Sequence, residues 1–317
     1  MTTEAPPYPR LSFVIPARNE SFFIDKCLQS IHRHCAGHNF EIIVIDNNST
    51  DETADLARAA GATIYDQTSG TIGALRNFGV SKASGEIIVF VDADVVITPE
   101  WSQNITALLT DIDNNGRLVS GSHCAAPESD PPMLRNWFNS IANETNSRHL
   151  GTGHLIISRE FFNHLSGFDE SLASGEDYNF CQNILANGGE IENRPELVAL
   201  HLDFPKNANN FIKREKWHGK ADMTSLGAIL ASKVAVAAIV FLALHLLLLL
   251  VLLCSLCSNA PGFLNGLLVT AAIAAMIVAT NIRKFGPQNP ILFLSNFFVG
   301  YLYFVGRSLS LRFFFSR

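Results

Sequence analysis

The segment of residues 86–94, Glu-Ile-Ile-Val-Phe-Val-Asp-Ala-Asp, decides the fold of this chain. Its apolar run Ile87–Val91, in which four of five residues are β-branched, is typical of a strand buried on both faces of a sheet. Asp92 and Asp94 follow directly, so both carboxylates lie at the carboxyl end of that strand. In an open parallel sheet this end borders the ligand-binding crevice. The segment therefore predicts a parallel α/β sheet with an acidic binding site.

Strands and helices alternate on both sides of this segment, between residues 11 and 203. The predicted strands are Leu11–Ile15, Glu41–Ile45, Ala62–Tyr65, Glu86–Val91, Gly151–Ser158 and Leu197–His201. The predicted helices are Asn19–His34, Asp51–Ala60, Ile72–Lys82, one that starts at Pro99, and Glu176–Ala186. This alternation indicates a mostly parallel, Rossmann-like sheet with helices on both faces. Residues 123–150 contain three prolines and are predicted to be irregular.

Two helix starts are predicted from their capping residues. Ser49 followed by Glu52 fits a capping box, which predicts a helix that begins at Asp51. Thr98 followed by Pro99 fits an N-cap with proline at the first helical position.

Charge is divided unevenly along the chain. Residues 1–203 carry 12 Lys and Arg against 27 Asp and Glu, a net charge of −15, whereas residues 204–317 carry 11 against 2, a net charge of +9. The acidic front argues against nucleic acid as a partner. The basic and apolar tail suits the lipids of an anionic membrane surface. Because the first ten residues are polar and contain no apolar signal region, the front domain is expected in the cytoplasm.

Three apolar runs in the tail predict a membrane domain. They are Val234–Leu253, Phe263–Thr280 and Ile291–Val305. About 20 helical residues cross the ~30 Å hydrocarbon core, so the first two runs can span, and the shorter third can span, tilt or lie in the interface. Basic residues at both ends of the first pair predict a hairpin that returns to the cytoplasm, followed by an interfacial or re-entrant third helix. The predicted parts are a catalytic domain (1–203), a basic interfacial segment (204–233) and a multi-pass membrane domain (234–317).

Asp92 and Asp94 are the strongest candidate site residues. Two carboxylates one residue apart at a strand end can turn to one side and bind Mg²⁺ or Mn²⁺ together with a diphosphate. Turn formation or helix capping is the alternative, but Thr98 and Pro99 already start the next helix. His201 ends the last strand and is a candidate third metal ligand or phosphate contact, although a lone histidine is more often structural.

Four further candidates lie at the ends of other predicted elements. Asp46 ends the second strand and suits either a hydrogen bond to a base or ribose, or an Asx turn. Arg76 suits either a diphosphate or an exposed helix face. Glu176 and Asp177 begin a helix, where a carboxylate can take a proton from an acceptor hydroxyl or stabilise the helix N-terminus.

These residues, in this order, resemble glycosyltransferase family 2, whose members have a GT-A fold. The matching segments are VIPARNE (14–20), VIDNNSTD (44–51), RNFG (76–79), FVDAD (90–94), GFDE (167–170) and GEDY (175–178). Each motif alone is common, but the ordered set is specific and covers roughly residues 9–220. The resemblance implies an enzyme that uses a nucleotide-sugar donor.

The resemblance also implies roles for single residues. The nucleotide-sugar site would be lined by Pro16, Arg18, Glu20, Asp46, Arg76 and Asp92. Asp94 would ligate Mn²⁺ or Mg²⁺, with Asp92 beside it and His201 as the candidate third ligand. Asp177, with Glu176 beside it, would be the general base of an inverting displacement. The candidate acceptor contacts are Gly151, Gly153 and Trp217.

The predicted reaction is a metal-dependent, inverting transfer of one or a few sugars, with UDP as the family's default nucleotide. The acceptor is expected to be a lipid-linked or membrane-proximal glycan of a cell-envelope polysaccharide, because Lys213–Trp217 lacks the Gln-x-x-Arg-Trp signature of processive members. Two alternatives stay open: a polyprenyl-phosphate acceptor, which needs a base less, and a non-catalytic membrane protein with a degenerate transferase domain. A dinucleotide oxidoreductase is disfavoured, since no G-x-G-x-x-G follows the first strand.

Overall fold

The computed structural model describes residues 10–143, 148–258 and 262–315. The chain forms two compact units. The first comprises Met1–Glu128 and Phe138–Phe204, and the second comprises Ser129–Trp137 and Pro205–Arg317. The predictions for residues 1–9, for the link at 259–261 and for Arg317 fall outside the described residues.

The first unit is built on a mixed but mostly parallel sheet. Its strands are β1 (Leu11–Ala17), β2 (Phe40–Asp46), β3 (Thr63–Asp66), β4 (Ile87–Val91), β5 (Val95–Ile97), β6 (Leu118–Gly121), β7 (His154–Ser158), β8 (Glu190–Asn193) and β9 (Ala199–His201). Seven of them form one sheet in the order β3-β2-β1-β4-β7-β6-β8, and β5 pairs separately with β9. All neighbours in the large sheet are parallel except β7, which is antiparallel to β4 and β6. The predicted α/β sheet is confirmed.

Helices cover both faces of this sheet. They are α1 (Ile24–His34), α2 (Thr53–Ala59), α3 (Ile72–Lys82), α4 (Pro99–Asn114), α6 (Arg159–His164) and α7 (Glu176–Ala186), whereas α5 (Pro132–Ala142) is divided between the two units. Successive side chains of a strand point to opposite faces, so Phe13 of β1 packs among residues of α1 and α4, whereas Val14 packs with α3. Two apolar clusters therefore enclose the sheet, which explains why β1 and β4 are buried along their whole length.

The structure differs from several local predictions. The helix predicted from Asn19 begins at Ile24, because Asn19 has a left-handed φ of 57° and its N–H donates to Ser49 Oγ at 2.9 Å. The capping box is therefore wrong: Ser49 binds Asn19, and α2 begins at Thr53. The strand predicted from residue 151 begins at His154.

Residues 123–150 are not wholly irregular, because they contain α5. This helix begins at Pro132. Proline is favoured in the first turn of a helix, where its missing N–H would have no intrahelical partner. The prolines of this segment thus mark the start of a helix.

The second unit contains the start of α5, up to Trp137, and the remaining helices. They are α8 (Ala208–His218), a 3-10 turn (Ala221–Met223), α9 (Leu226–Ala231), α10 (Lys233–Ser258), α11 (Gly262–Phe285), α12 (Pro290–Leu309) and α13 (Arg312–Phe315). In the described part of the chain, the stretches Lys233–Leu256, Leu264–Phe285 and Pro290–Phe315 are long and apolar enough to cross a membrane. The third helix is longer than its predicted 15 residues, because α12 has 20.

A buried ion pair joins α8 to α12 within this unit. Glu215 is 3% exposed and accepts hydrogen bonds from Arg214 Nη1 at 3.0 Å and Arg307 Nε at 3.1 Å. A Cβ on Gly306 would lie only 2.7 Å from Glu215 Cβ. Glycine therefore lets the two helices approach closely enough for the ion pair to form.

Candidate active site

Two loops at the carboxyl ends of β1 and β2 are tied together. Asn19 N–H donates to Ser49 Oγ at 2.9 Å, and Thr50 N–H donates back to Asn19 Oδ1 at 2.8 Å. Asn19 and Asn48 both have left-handed φ angles, 57° and 56°, which asparagine adopts more readily than most residues. These bonds fix the wall of the crevice where the nucleotide site is predicted.

Three of the predicted nucleotide-site residues lie at the end of β1. Pro16 is buried in the strand, Arg18 is exposed, and Glu20 is half-buried. Glu20 N–H donates to Thr53 Oγ1 at 2.7 Å, which attaches this loop to α2. Burial, followed by repulsion from nearby carboxylates, first that of Asp203, raises the pKa of the Glu20 carboxyl to about 7. Glu20 therefore belongs to an acidic cluster.

Asp46 ends β2 and is almost fully buried, at 5% exposed. Its Oδ2 accepts the N–H of Ser49 at 3.1 Å, which closes a turn one residue wider than the predicted Asx turn. Within the described residues, its Oδ1 is buried and accepts no hydrogen bond. A buried carboxylate oxygen of this kind suits a ligand donor, so the turn and a nucleotide contact are compatible at this residue.

Arg76 of α3 joins the end of β4 to the start of α7. It is 3% exposed, its Nη2 donates to Asp92 Oδ1 at 2.8 Å, and its Nη1 donates to Glu176 Oε1 at 3.0 Å. The guanidinium carbon also lies 5.8 Å from the centre of the Phe168 ring. The buried guanidinium of Arg76 thus holds Asp92, after β4, and Glu176, at the start of α7, in the same crevice. Its predicted contact with a diphosphate stays a prediction.

Gly153 leaves room for the Asp92 carboxylate. Asp92 N–H donates to Gly153 O at 3.2 Å. A Cβ on Gly153 would lie 3.1 Å from Asp92 Oδ2, a tighter contact than most Cβ atoms make. At Gly151, in contrast, a Cβ would meet nothing within 4 Å. The two predicted acceptor glycines therefore lie in different surroundings.

Asp94 and His201 are brought together by the short β5–β9 ladder. Val95 pairs with His201 in this ladder, and His201 Nδ1 lies 3.4 Å from Asp94 Oδ2. Burial, together with the weaker repulsion from Asp92 and Glu20, raises the pKa of the Asp94 carboxyl to about 8. Negative charge is therefore crowded at the end of β4.

The donor set at this point fits a divalent cation in part. In the ranges that the structure describes, no three His, Cys, Asp or Glu side chains form a complete metal cage. Mg²⁺ characteristically uses only one or two protein carboxylates and completes its shell with substrate phosphates and water. Asp94 and Asp92 supply such carboxylates, and His201 adds a nitrogen ligand beside them. A cation would also relieve the repulsion that raises the pKa of Asp94.

Asp177 lies in the first turn of α7. Gly175 precedes the helix with a φ of 80°, a left-handed conformation that glycine adopts without strain. Asp177 Oδ1 accepts the N–H of Tyr178 at 2.7 Å. Glu176, next to it, is held by the guanidinium described above. The helix start is thus stabilised by acidic residues, and the Asp177 carboxylate remains about one-third exposed.

His149 lies beside this carboxylate and belongs to none of the sequence motifs. Its Nε2 is 3.4 Å from Asp177 Oδ2. Burial alone would raise the pKa of Asp177, but the nearby imidazole of His149, the Tyr178 N–H and the charge of Arg76 together bring it below its usual value. The one sequence signal was its place just before Gly151, in a stretch otherwise predicted to be irregular.

Trp217 belongs to the second unit. It is on α8, is 55% exposed, and contacts the ring of His218 edge-on at 5.0 Å. Its predicted acceptor contact stays a prediction.

Comparison with known proteins gives one consistent family. Residues 12–162 match the family model described as Glycosyl transferase family 2. Glycosyltransferase AglE of Haloferax volcanii is 25% identical over 207 residues, which are 61% of this chain and 67% of that protein. The putative glycosyltransferase EpsH of Bacillus subtilis is 31% identical over 103 residues, which are 31% of this chain but only 29% of that protein.

A solved structure resembles the chain over almost its whole length. The mannosyltransferase PcManGT of Pyrobaculum calidifontis, in complex with GDP-Man and Mn²⁺, is 17% identical with a TM-score of 0.64. The likeness covers 96% of this chain and 87% of that one. It extends through the apolar helices, so the two chains share a fold that includes both units.

Proposed function

Because the chain belongs to glycosyltransferase family 2 through residues 12–162, we propose that it transfers a sugar from a nucleotide-sugar donor with inversion of the anomeric carbon. The observation that carries the proposal is the buried Arg76, which binds Asp92 at 2.8 Å and Glu176 at 3.0 Å. It supports the proposal because it joins Asp92, of the motif suited to a metal-bound diphosphate, to Glu176, the chain neighbour of the proposed base Asp177.

The nucleotide is proposed to bind where β1 and β2 end. Asp46 Oδ1, buried and without a hydrogen bond among the described residues, suits an N–H of the base or a ribose hydroxyl. Pro16, Arg18 and Glu20 lie on the loop that the Asn19 hydrogen bonds tie to β2. The resemblance predicts UDP, whereas PcManGT holds GDP-Man; a donor panel with both nucleotides decides between them.

Asp94 and Asp92, with His201 beside them, are proposed to hold Mn²⁺ or Mg²⁺. When bound, such a cation neutralises the negative charge that develops on the leaving diphosphate. Arg76 holds Asp92 in place by donating to the Asp92 Oδ1 atom. The other carboxylate oxygen, Asp92 Oδ2, faces Gly153, which has no side chain. The protein thereby orients one carboxylate oxygen for the donor complex.

Asp177 is proposed to act as the general base. The acceptor hydroxyl gives its proton to the Asp177 carboxylate while its oxygen bonds to the anomeric carbon, and the bond from that carbon to the diphosphate oxygen breaks with its electron pair. The lowered pKa keeps Asp177 ionised at neutral pH. No covalent sugar–enzyme bond is needed for inversion.

The acceptor is proposed to be a lipid-linked or membrane-proximal glycan. Residues 1–203 are assigned to the catalytic domain, 204–233 to an interfacial segment and 234–317 to the membrane domain, with the catalytic domain in the cytoplasm. Leu226, Leu230 and Trp217 of the interfacial segment are more than half exposed, beside lysines that suit anionic headgroups. A catalytic domain joined to such a segment would act close to the membrane surface.

The contacts of α12 favour a hairpin with a tilted third helix over three full crossings. Along α10, the pairs are Ser308 with Ala238, Phe304 with Phe241 and Tyr301 with His245. These partners lie within the first 13 residues of α10, or ~20 Å from its start at Lys233. On α11, Gly300 packs against Ile277 and Asn281, near the basic end of that helix.

Both ends of α12 also lie near that basic end. Its first residue follows α11 after only four linking residues, 286–289. Near its last turn, Arg307 binds Glu215 of α8 at 3.1 Å. We therefore propose that α12, one unbroken helix, lies obliquely at the membrane interface without crossing, so that Arg307 and Arg312 stay on the same side as Lys233.

Release of nucleoside diphosphate tests the reaction directly. Detergent-purified full-length protein is given a panel of UDP-, GDP- and dTDP-sugars with Mn²⁺, with and without a chelator. We expect release from one donor, loss with the chelator, and a fall of at least ~100-fold in Asp94→Ala. Asp55→Ala, which removes an exposed carboxylate on α2, is the matched control and should keep full activity.

Two results would count against the proposal. Chelator-resistant release that survives Asp94→Ala would exclude the metal role of the acidic motif. Failure of the wild type to bind any donor of the panel, measured by calorimetry, would favour a non-catalytic protein.

A further inference from the structure

The carboxylate proposed as the base has a neighbour that no motif marks. His149 Nε2 and Asp177 Oδ2 are 3.4 Å apart, and their side chains are 38% and 32% exposed. This pair is therefore open enough for an acceptor to reach it, yet partly shielded from water. A proton-accepting carboxylate needs a defined orientation, because proton transfer requires hydrogen-bond distance and alignment.

The position of His149 is fixed by the residue that follows it. Leu150 is fully buried, its N–H donates to Cys181 Sγ at 3.4 Å, and Cys181 Sγ–H donates to Leu150 O at 3.6 Å. Cys181 lies one turn after Asp177 on the same face of α7. The backbone before β7 thus runs along α7 in the register that places His149 beside Asp177.

The charged and titratable groups around the pair come from several elements. They are Arg76 of α3, His149 of the segment before β7, His123 after β6, and Glu176, Tyr178 and Cys181 of α7. Arg76 acts at a distance, because its two Nη atoms bind other carboxylates. His123 contacts the His149 ring at 6.4 Å between ring centres. Only His149 among them places a side-chain nitrogen within ion-pair distance of the Asp177 oxygens in the described part of the chain.

We propose that His149 is a positioning residue for the sugar transfer: its Nε2–H donates to Asp177 Oδ2 and holds the carboxylate in the orientation that accepts the hydroxyl proton. The inference rests on the proposed function, in which Asp177 is the base. Oδ1 already accepts the N–H of Tyr178, so the two donors together fix the plane of the carboxylate. The rotation about its last side-chain bond, which is otherwise broad, is thereby restricted.

Removal of His149 has two consequences that a purely structural residue would not share. The carboxylate gains rotational freedom, so kcat falls while donor binding is kept. Because burial then acts on Asp177 with less opposition, its pKa rises. The acid limb of the pH profile of kcat/KM must therefore move to higher pH.

The test compares His149→Ala, His149→Gln and the control His123→Ala in the full-length protein. We expect His149→Ala to lower kcat about 10- to 100-fold, the usual range for loss of a group that orients a functional side chain. The KM for the donor should stay unchanged, and the acid limb should shift upward. His149→Gln, whose amide N–H can replace Nε2–H, should restore most of kcat. His123→Ala should keep the wild-type pH profile.

An acid limb that does not move in His149→Ala would overturn the inference, as would a glutamine variant no better than the alanine variant. A second measurement needs no acceptor. The side-chain carboxyl ¹³C signal of Asp177, assigned with Asp177→Asn, is titrated in wild type and His149→Ala, and equal pKa values would also overturn it. Failure of the proposed function would look different, because the wild type itself would then release no nucleotide.

Discussion

At the scale of single residues, Gly153 sets the space available to the Asp92 carboxylate. The virtual Cβ at this position is 3.1 Å from Asp92 Oδ2 and 3.7 Å from Cys124 Sγ. Asp92 cannot easily move away, since Arg76 holds its other oxygen at 2.8 Å. Gly153 was predicted as an acceptor contact, but its surroundings also give it a part in shaping the donor side of the site.

Gly153→Ala should therefore impair transfer more than folding. A displacement of a few tenths of an ångström at Asp92 is expected to lower kcat/KM about 10-fold, since small misplacements of reacting groups are costly. The melting temperature should change little, because one methyl group is added at a partly open position. Gly37→Ala, where a Cβ would meet nothing within 4 Å, is the matched control. Equal activity of the two variants would show that this contact does not matter.

Carboxylates at strand ends could be predicted from the sequence. Runs of β-branched residues indicate the strands, and the ligand crevice of a parallel sheet lies at the carboxyl ends of its strands. Asp46 and Asp92 are at such ends in the structure. The bridge through Arg76 could not be predicted, because that side chain meets Glu176 100 residues further along the chain. His149 could not be predicted for the same reason. It lies beside Asp177 because Leu150 packs against α7, and no local sequence pattern indicates that contact.

At the scale of secondary-structure elements, a buried ion pair attaches α8 to α12, beside the hydrogen bond that Ser310 Oγ donates to Lys216 O at 2.8 Å. Glu215 and Arg307 are 3.1 Å apart, and their side chains are 4% and 16% exposed. Removal of one partner from a buried pair leaves an uncompensated charge, which costs about 3–5 kcal/mol. This contact is therefore expected to contribute strongly to the attachment of α8 to α12.

Glu215→Ala should markedly lower the thermal stability of the detergent-solubilised protein and expose α8 to protease. The control is Asp222→Ala, because Asp222 lies farther from Arg307, at 3.6 Å, and is 31% exposed. It should lose less than 1 kcal/mol, as exposed pairs do. Similar losses in the two variants would mean that burial of Glu215 is not what holds α8.

The helices and strands were predicted correctly where the apolar pattern was long, whereas the predicted boundaries of the elements were less accurate. The buried strands and the helix Glu176–Ala186 were found from apolar runs and from the acidic helix start. The start of α1 was placed too early, because Asn19 satisfies its backbone through a neighbouring loop and not through a helix. The prolines of residues 123–150 predict an irregular segment, although proline is well suited to the first turn of a helix such as α5.

At the scale of the whole molecule, the proposed topology keeps every basic flank on one side of the membrane. Single cysteines at Thr224, Leu256 and Arg312 test it, in a background without Cys254 and Cys257. We expect a membrane-impermeant maleimide to label Leu256→Cys from the outer face, and Thr224→Cys and Arg312→Cys only from the cytoplasmic face. Labelling of Arg312→Cys together with Leu256→Cys would show that α12 crosses completely.

The path of the chain has a consequence for modularity. Nine residues, Ser129–Trp137, leave the first unit, take part in the second and return. There Trp137 is enclosed by the rings of Phe211, Phe285 and Tyr303 at 6.0, 5.0 and 5.8 Å. Truncation of the chain after Phe204 would remove all three of these rings and expose the indole of Trp137 as part of an apolar surface patch. Recombination between related proteins is therefore expected to keep the two units together, because a first unit on its own would be prone to aggregate.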